Sequence, residues 1–104
     1  MTVVWELLHP EMTIGHLGFL LDWLDTDDPR SASDQIDAHY QHGGGWFPFK
    51  GHRLADDNSL QYPEDPPLQP LAQAQLRDEL VVLYQHSWVA IIQKDRSFEV
   101  ARID

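Results

Sequence analysis

Three β-rich runs near the C-terminus constrain the fold more than any other feature. They cover residues 80–84, 88–93 and 98–103, and only short polar segments separate them. Strands joined by such short connections pair as antiparallel hairpins. The first two runs are apolar at successive positions, which predicts central strands, whereas Glu99 and Arg102 predict an edge position for the third. The sequence therefore predicts a C-terminal three-stranded antiparallel meander.

Patterns earlier in the chain predict helices that cover this sheet. A first strand is expected over residues 2–8, and a short hairpin is expected over 52–62. Helical spacing and proline positions predict helices over 10–24 and 29–42, and a third over 70–79. We therefore predict one α+β domain spanning residues 1–104, with two to three helices packed on one face of an antiparallel sheet.

The charge of the chain is strongly negative. Seventeen acidic residues against seven basic ones give a formal net charge of −10, and Arg30 is the sole basic residue before Lys50. A field of this sign repels phosphate backbones and anionic lipid surfaces, so we predict no direct binding of nucleic acid or membrane. A field of this sign suits a basic protein partner, and the simpler interpretation is that acidic surface charge keeps a small protein in solution. Evenly spaced acids in the N-terminal half suggest an extended negative surface: Asp22, Asp25, Asp28, Asp34 and Asp37.

The cellular compartment is predicted from what the sequence lacks. The chain has no cysteine, which excludes disulfides and thiolate metal sites. Its first residues lack the basic and apolar regions of a signal peptide, and no apolar run reaches the length of a membrane span. We therefore expect a cytoplasmic protein.

A dense group of glycines and aromatics follows the second predicted helix. Gly43, Gly44 and Gly45 precede Trp46, Phe47, Pro48 and Phe49. One interpretation is a small apolar core packed over the sheet, because large aromatics are usually buried. The other is an exposed binding surface, because tryptophan and tyrosine are enriched at interfaces. The predicted partner-binding residues are Trp23, Asp34, Asp37, Trp46, Phe47 and Phe49.

Histidines provide the one candidate for metal chemistry. His39 and His42 lie three residues apart at a predicted helix end, and His52 is available as a third ligand. The spacing matches no recognised zinc signature, so we predict no metal or cofactor. The segment 42–45 matches the oxyanion-hole sequence of some esterases, but the Gly-x-Ser-x-Gly nucleophile motif is absent. No catalytic residue is predicted, and an enzyme is the less favoured interpretation.

Several segments together resemble a family of short uncharacterised bacterial and prophage-borne proteins of unknown function. The segments are residues 28–30, 42–46, 48–49, 62–68, 88–93 and 98–102. The resemblance covers most of the chain. It implies an origin in bacteria or their mobile elements, and it implies no activity, cofactor or site residue.

The favoured functional hypothesis is a non-enzymatic protein–protein interaction module. Acidic side chains would steer a basic partner to the surface, and aromatic side chains would supply affinity. A narrower version is a phage-encoded or mobile-element-encoded inhibitor that imitates the charge of DNA. One alternative is a small metal-binding protein or enzyme that uses His39, His42 and His52. Another is a structural subunit that closes a homodimer.

Overall fold

Two neighbouring strands that are apolar on both faces require a sheet covered on both sides. The computed structural model describes residues 1–10, 21–40, 46, 51–61 and 66–103. Within these ranges the chain forms one α-helix, seven β-strands and one short 3-10 turn. The helix is α1 (Ala32–Tyr40), and the strands are β1 (Trp5–Leu7), β2 (Arg53–Leu54), β3 (Leu60–Gln61), β4 (Pro70–Leu76), β5 (Glu79–Tyr84), β6 (Trp88–Ile92) and β7 (Phe98–Arg102).

Five of the strands form one antiparallel sheet in the order β1-β4-β5-β6-β7, and β2 pairs with β3 in a separate two-stranded sheet. The predicted α+β class and antiparallel sheet are confirmed. Strand β7 lies at an edge, and β5 and β6 are central, as predicted. A meander of three strands alone is not confirmed, because β4 pairs with β5 and adds a strand to the run of hairpins that β5, β6 and β7 form.

Residues 70–76 form strand β4, so the helix predicted over 70–79 is wrong. The side chains of Ala72, Ala74 and Leu76 are buried, and the glutamines between them are more exposed. This alternation has the period of a strand. Strand β4 is hydrogen-bonded to β1 on one side and to β5 on the other. These two ladders outweigh the helix propensity of alanine, glutamine and leucine.

The N-terminal half contains less regular structure than predicted. Strand β1 has three residues rather than the seven expected over 2–8. Most of the first predicted helix, residues 11–20, lies outside the described residues. Residues 21–24 form a turn, in which the backbone N–H of Leu24 donates to the carbonyl of Leu21 at 3.2 Å. No helix within the described ranges has the length and apolar character needed to cross a bilayer.

Helix α1 begins at Ala32, three residues later than the predicted start at Pro29. Ser31 is its N-cap, because its hydroxyl accepts a hydrogen bond from the backbone N–H of Asp34 at 3.2 Å. The Asp28 carboxylate instead accepts the backbone N–H of Arg30 at 2.9 Å, which forms a turn ahead of the helix. Pro29 is the second residue of that turn, so it does not begin the helix as predicted.

The five-stranded sheet has a core on each face. On the face that α1 covers, called the helix face, Val81, Leu83, Val89 and Ile91 pack against helix residue Ile36. The residues alternating with them on β5 and β6 point to the opposite face, called the hairpin face, where Leu60 of β3 packs. Helix, sheet and hairpin therefore form three layers, and the helices expected on one face are represented by α1.

Candidate functional site

Helix α1 is attached to the sheet through a carboxylate at its N-terminus. One oxygen of Glu79, the first residue of β5, accepts the backbone N–H of Ala32 at 3.0 Å. The other oxygen accepts a hydrogen bond from the side-chain amide of Gln93 at 3.3 Å. A carboxylate at this position satisfies an otherwise unpaired N–H and interacts favourably with the helix dipole. The sheet thereby caps the helix that lies on it.

Three more carboxylates lie near Glu79 around α1. Asp34 is exposed in the first turn of the helix, and Asp37 is half-buried and accepts the Trp46 indole N–H at 3.1 Å. Glu99 projects from β7, where it is half-buried. We call Asp34, Asp37, Glu79 and Glu99 the acidic face. In the described part of the chain, none of the four forms an ion pair with a basic side chain.

Three charges of the acidic face act on the fourth member, Glu99. Burial raises the pKa of Glu99 above its ordinary value, and the charges of Glu79, Asp37 and Asp34 raise it further. Desolvation and like charge both disfavour the ionised form of a carboxyl group. The environment of Glu99 is therefore negatively charged.

Three acids that precede α1 differ from the acidic face, because Asp25, Asp27 and Asp28 each have a cationic partner. Asp28 binds the Arg30 guanidinium with an N–O distance of 2.8 Å, and its hydrogen bonds with Arg30 lower the pKa of Asp28 to about 2. Asp25 and Asp27 accept the Met1 amine at 2.7 and 2.6 Å. These pairs reduce the net charge that residues 25–28 present to solvent.

Two long side chains hold the loop over residues 25–30 in place. The buried Gln35 amide accepts the backbone N–H of Asp25 and donates to the carbonyls of Asp25 and Arg30. The Arg77 guanidinium donates to the carbonyls of Thr26, Asp28 and Arg30. Arg77 itself has a positive φ of 53° in the turn between β4 and β5. The loop is therefore fixed by these contacts from Gln35 and Arg77 in addition to its own turn at Asp28.

An aromatic stack and an open cleft lie beside this loop. The rings of Trp23 and His39 are 3.9 Å apart and nearly parallel, and Tyr40 lies against Trp23 at 5.8 Å. Burial raises the pKa of the Tyr40 hydroxyl. The cleft has a volume of about 340 Å3 and is lined by Trp23, Asp25, Asp28, Arg30, Gln35, Ala38 and His39.

The predicted partner-binding residues fall into two places. Trp23 lines the cleft, and Asp34, Asp37 and Trp46 do not. Asp37 and Trp46 are joined by a hydrogen bond, with the Trp46 ring half-buried against the core of the helix face. The remaining two predicted residues, Phe47 and Phe49, lie outside the described residues.

The predicted histidine cluster is divided by the sheet. His39 stacks on Trp23, which packs on the helix face. His52 is buried and contacts Trp88 edge-on at 5.3 Å, on the hairpin face. The structure therefore does not bring His39 and His52 together. A pair formed by His39 and His42 stays a prediction, since His42 lies outside the described residues. Within the described ranges, no group of three or more metal-ligating side chains could hold a metal ion.

Glu79 and Glu99 belong to the site, although the sequence did not point to them. Glu99 was interpreted as the mark of an edge strand. A signal was present, because Glu99 alternates with Phe98 and Val100 and lies on the same face of β7 as Ala101. An acidic residue between buried strand positions lies on the opposite face from them. Glu79 carried no comparable signal, since its contact with α1 spans 47 residues of sequence.

The chain was compared with known proteins at three levels. Family models, curated protein sequences and solved structures yield no match.

Proposed function

We propose that this protein is a non-enzymatic protein–protein interaction module whose acidic face binds a basic protein partner. One observation carries the proposal. The carboxylates of the acidic face lack basic partners within the described residues, whereas Asp25, Asp27 and Asp28 have them. A surface whose charge is not neutralised internally can attract and orient a cationic partner.

Two further features support the proposal. The net charge of −10 steers basic proteins toward the molecule and repels nucleic acids. Trp46 lies beside Asp37 and is half-buried, so it offers an aromatic contact next to the charges. Interface energy is concentrated on such aromatic residues, while surrounding charges set association rate and specificity.

The narrower proposals follow from the sequence. An inhibitor that imitates the charge of DNA would use the same acidic face against a nucleic-acid-binding protein. Cytoplasmic localisation and an origin in bacteria or mobile elements rest on the cysteine-free composition and on the resemblance to prophage-borne proteins.

The test compares two variants with the same net charge. Asp34→Lys/Asp37→Lys reverses two charges of the acidic face. Asp56→Lys/Asp78→Lys reverses two exposed charges that are not part of the acidic face. It also removes the Asp78–Lys94 ion pair, which contributes little to stability because both side chains are exposed. Wild type and both variants are immobilised and used to capture proteins from host lysate at moderate salt, after circular dichroism has confirmed that each is folded.

A basic protein bound in a fixed stoichiometry by wild type and by Asp56→Lys/Asp78→Lys, but not by Asp34→Lys/Asp37→Lys, supports the proposal. Equal loss in both variants means that binding depends on net charge alone, and equal retention means that the acidic face is not the interface. Either of these results contradicts the proposal.

Self-association through the edge strand β1 is the second candidate function. Leu7 of β1 is 39% exposed, and the flanking residues Val4 and Leu8 are 87% and 39% exposed. The one partner of β1 in the five-stranded sheet is β4. Exposed apolar side chains on an edge strand favour pairing with a second copy. Sedimentation equilibrium over a range of concentrations distinguishes the two candidates, and a monomer throughout excludes the homodimer.

A further inference from the structure

His52 is a buried titratable side chain on the hairpin face of the sheet, opposite to α1. It is 5% exposed, and both of its ring nitrogens are inaccessible to solvent. Its ring meets the ring of Trp88 on β6 edge-on, with 5.3 Å between the centroids. The period of a strand places His52 on the same side of the chain as Leu54, which packs on the hairpin face, whereas Arg53 between them is exposed. His52 therefore lies between the β2–β3 hairpin and the sheet.

The β2–β3 hairpin is attached to the rest of the fold mainly by side chains. It forms a sheet of its own, and in the described part of the chain its backbone is hydrogen-bonded outside the hairpin only between Leu60 and Leu68, which lies ahead of β4. At its loop, the Tyr84 hydroxyl donates to the carbonyl of Asn58 at 2.6 Å, and the Arg96 guanidinium donates to the Asn58 side chain at 2.7 Å. These polar contacts hold the loop end of the hairpin, and His52 lies at the opposite end.

Charged and titratable groups are also present on the elements around His52. They include Arg53 and Asp57 of the hairpin, Tyr84 of β5, His86 and Arg96 of the turns on either side of β6, and Arg102, which lies opposite Trp88 on β7. Hydrogen bonds from Ser59 hold the pKa of Asp57 below its ordinary value, and burial raises the pKa of the Tyr84 hydroxyl. His86 is exposed. Among these groups, His52 is the one whose uptake of a proton near neutral pH places a new charge in a buried position.

We propose that the β2–β3 hairpin is a pH-sensitive strap, which is released from the sheet when the His52 imidazole takes up a proton. A charged imidazolium is costly to hold away from water at this position, and release of the hairpin returns it to solvent. Release also uncovers apolar side chains of the sheet, such as Val82 and Ile92, that pack in one cluster with Leu54 and Leu60. The inference concerns the free protein and the face opposite to α1, so it is independent of the proposed partner binding.

The direction of the pH dependence follows from the burial of His52. Burial lowers the pKa of His52 in the closed structure below the ordinary value of 6.5, which the side chain regains when the hairpin is released. The closed structure therefore binds this proton less tightly than the released one. Attachment of the hairpin is complete above pH 6.5 and weakens as the pH falls from 6.5 toward the lower value of the closed structure. Over that range the equilibrium constant for release rises by up to about tenfold per pH unit.

Amide hydrogen exchange of the wild-type protein tests the strap, at one pH above 6.5 and one below it, with correction for the intrinsic pH dependence of exchange. The backbone N–H of Leu60 donates to the carbonyl of Leu68 at 3.0 Å, so its protection reports on attachment of the hairpin. We expect Leu60 to exchange faster at the lower pH, by up to about tenfold per unit below 6.5, while the amides of β5 and β6 stay protected. Equal protection of Leu60 at both pH values, or an equal loss throughout the sheet, would overturn the strap.

Two variants show whether His52 is the group that responds. His52→Leu introduces a side chain of similar size that takes up no proton, so its Leu60 amide should have the same protection at both pH values. His86→Asn is the matched control, because His86 is exposed and its φ of 62° suits asparagine. It should follow wild type. A loss of Leu60 protection at the lower pH that persists in His52→Leu would overturn the inference.

If His52→Leu does not fold, an NMR titration of the His52 ring in wild type decides instead. The midpoint of the titration should lie below 6.5, and the loss of Leu60 protection should follow the same titration curve. A midpoint at or above 6.5, or a loss of protection that does not follow the titration, would contradict the strap.

Discussion

Replacing Gln35 with leucine tests how the loop over residues 25–30 is held. Gln35 is 4% exposed, and its side chain makes three hydrogen bonds with the backbone of that loop, at 3.1, 3.2 and 3.1 Å. Leucine is similar in size and equally suited to a helix, so Gln35→Leu removes the hydrogen bonds with little change in packing or helix propensity.

The expected loss of stability can be worked out from these contacts. Each hydrogen bond contributes about 1 kcal/mol net, so three contribute about 3 kcal/mol. Burying the leucine side chain returns part of this, on the order of 1 kcal/mol for the apolar atoms that replace the amide. The backbone groups of Asp25 and Arg30 regain some water, because the loop is at the surface. We therefore expect Gln35→Leu to lower the free energy of unfolding by about 2 kcal/mol.

Urea unfolding followed by tryptophan fluorescence measures the loss, and amide exchange at Asp25 reports on the loop itself. Gln73→Leu is the control, because Gln73 donates to Glu6 at the surface and its replacement should change stability by less than about 0.5 kcal/mol. A loss below about 0.5 kcal/mol for Gln35→Leu, with unchanged exchange at Asp25, would show that the loop is held by other contacts.

Two further predictions concern other fixed points of the fold. Tyr84→Phe removes the hydrogen bond from the Tyr84 hydroxyl to the carbonyl of Asn58 at 2.6 Å, which ties the β2–β3 hairpin to the sheet. It should lower the free energy of unfolding by about 1–2 kcal/mol and speed amide exchange in the hairpin, and unchanged exchange there would contradict this role. Arg30 holds the pKa of Asp28 at about 2 in the folded chain, below the ordinary 3.8, so this contribution to stability is present above pH 3.8 and is lost as the pH falls through the folded value. In acid unfolding titrations, Asp28→Asn should lose less stability than wild type between pH 3.8 and 2. The same loss of stability in both proteins over this range would show that the Asp28–Arg30 pair is not linked to folding.

The C-terminal strands could be predicted from sequence because their signal is local. Strands β5, β6 and β7 are apolar runs separated by short polar turns, and each hairpin forms between neighbours in the chain. Strand β4 could not be predicted in the same way. Its small alanines weaken the alternation, and its turn contains Arg77 at positive φ rather than a glycine or asparagine. The hydrogen bonds with β1, 65 to 69 residues away in sequence, stabilise β4 as a strand where the local pattern does not.

The sequence predicts that the candidate site is acidic and contains Asp34 and Asp37, but it does not predict which other residues lie beside them. Net charge and the positions of Asp34 and Asp37 are properties of the sequence, and α1 presents both residues near its exposed side. The pairing of His39 with Trp23, and of His52 with Trp88, depends on which face of the sheet each segment covers. That choice is made by tertiary packing, so the spacing of histidines along the chain could not reveal it.

The evenly spaced acids from Asp22 to Asp37 illustrate why charge must be considered together with contacts. By spacing alone they form one continuous negative row. In the folded chain the row is interrupted, because Arg30 binds Asp28 and the Met1 amine binds Asp25. Within the described residues, Asp34 and Asp37 on α1 keep their charge without an ion pair, as do Glu79 and Glu99 on two strands of the sheet. A basic partner would therefore meet a compact patch rather than an extended row. A compact patch suits recognition of a small group of cationic side chains better than imitation of the regular phosphates of DNA.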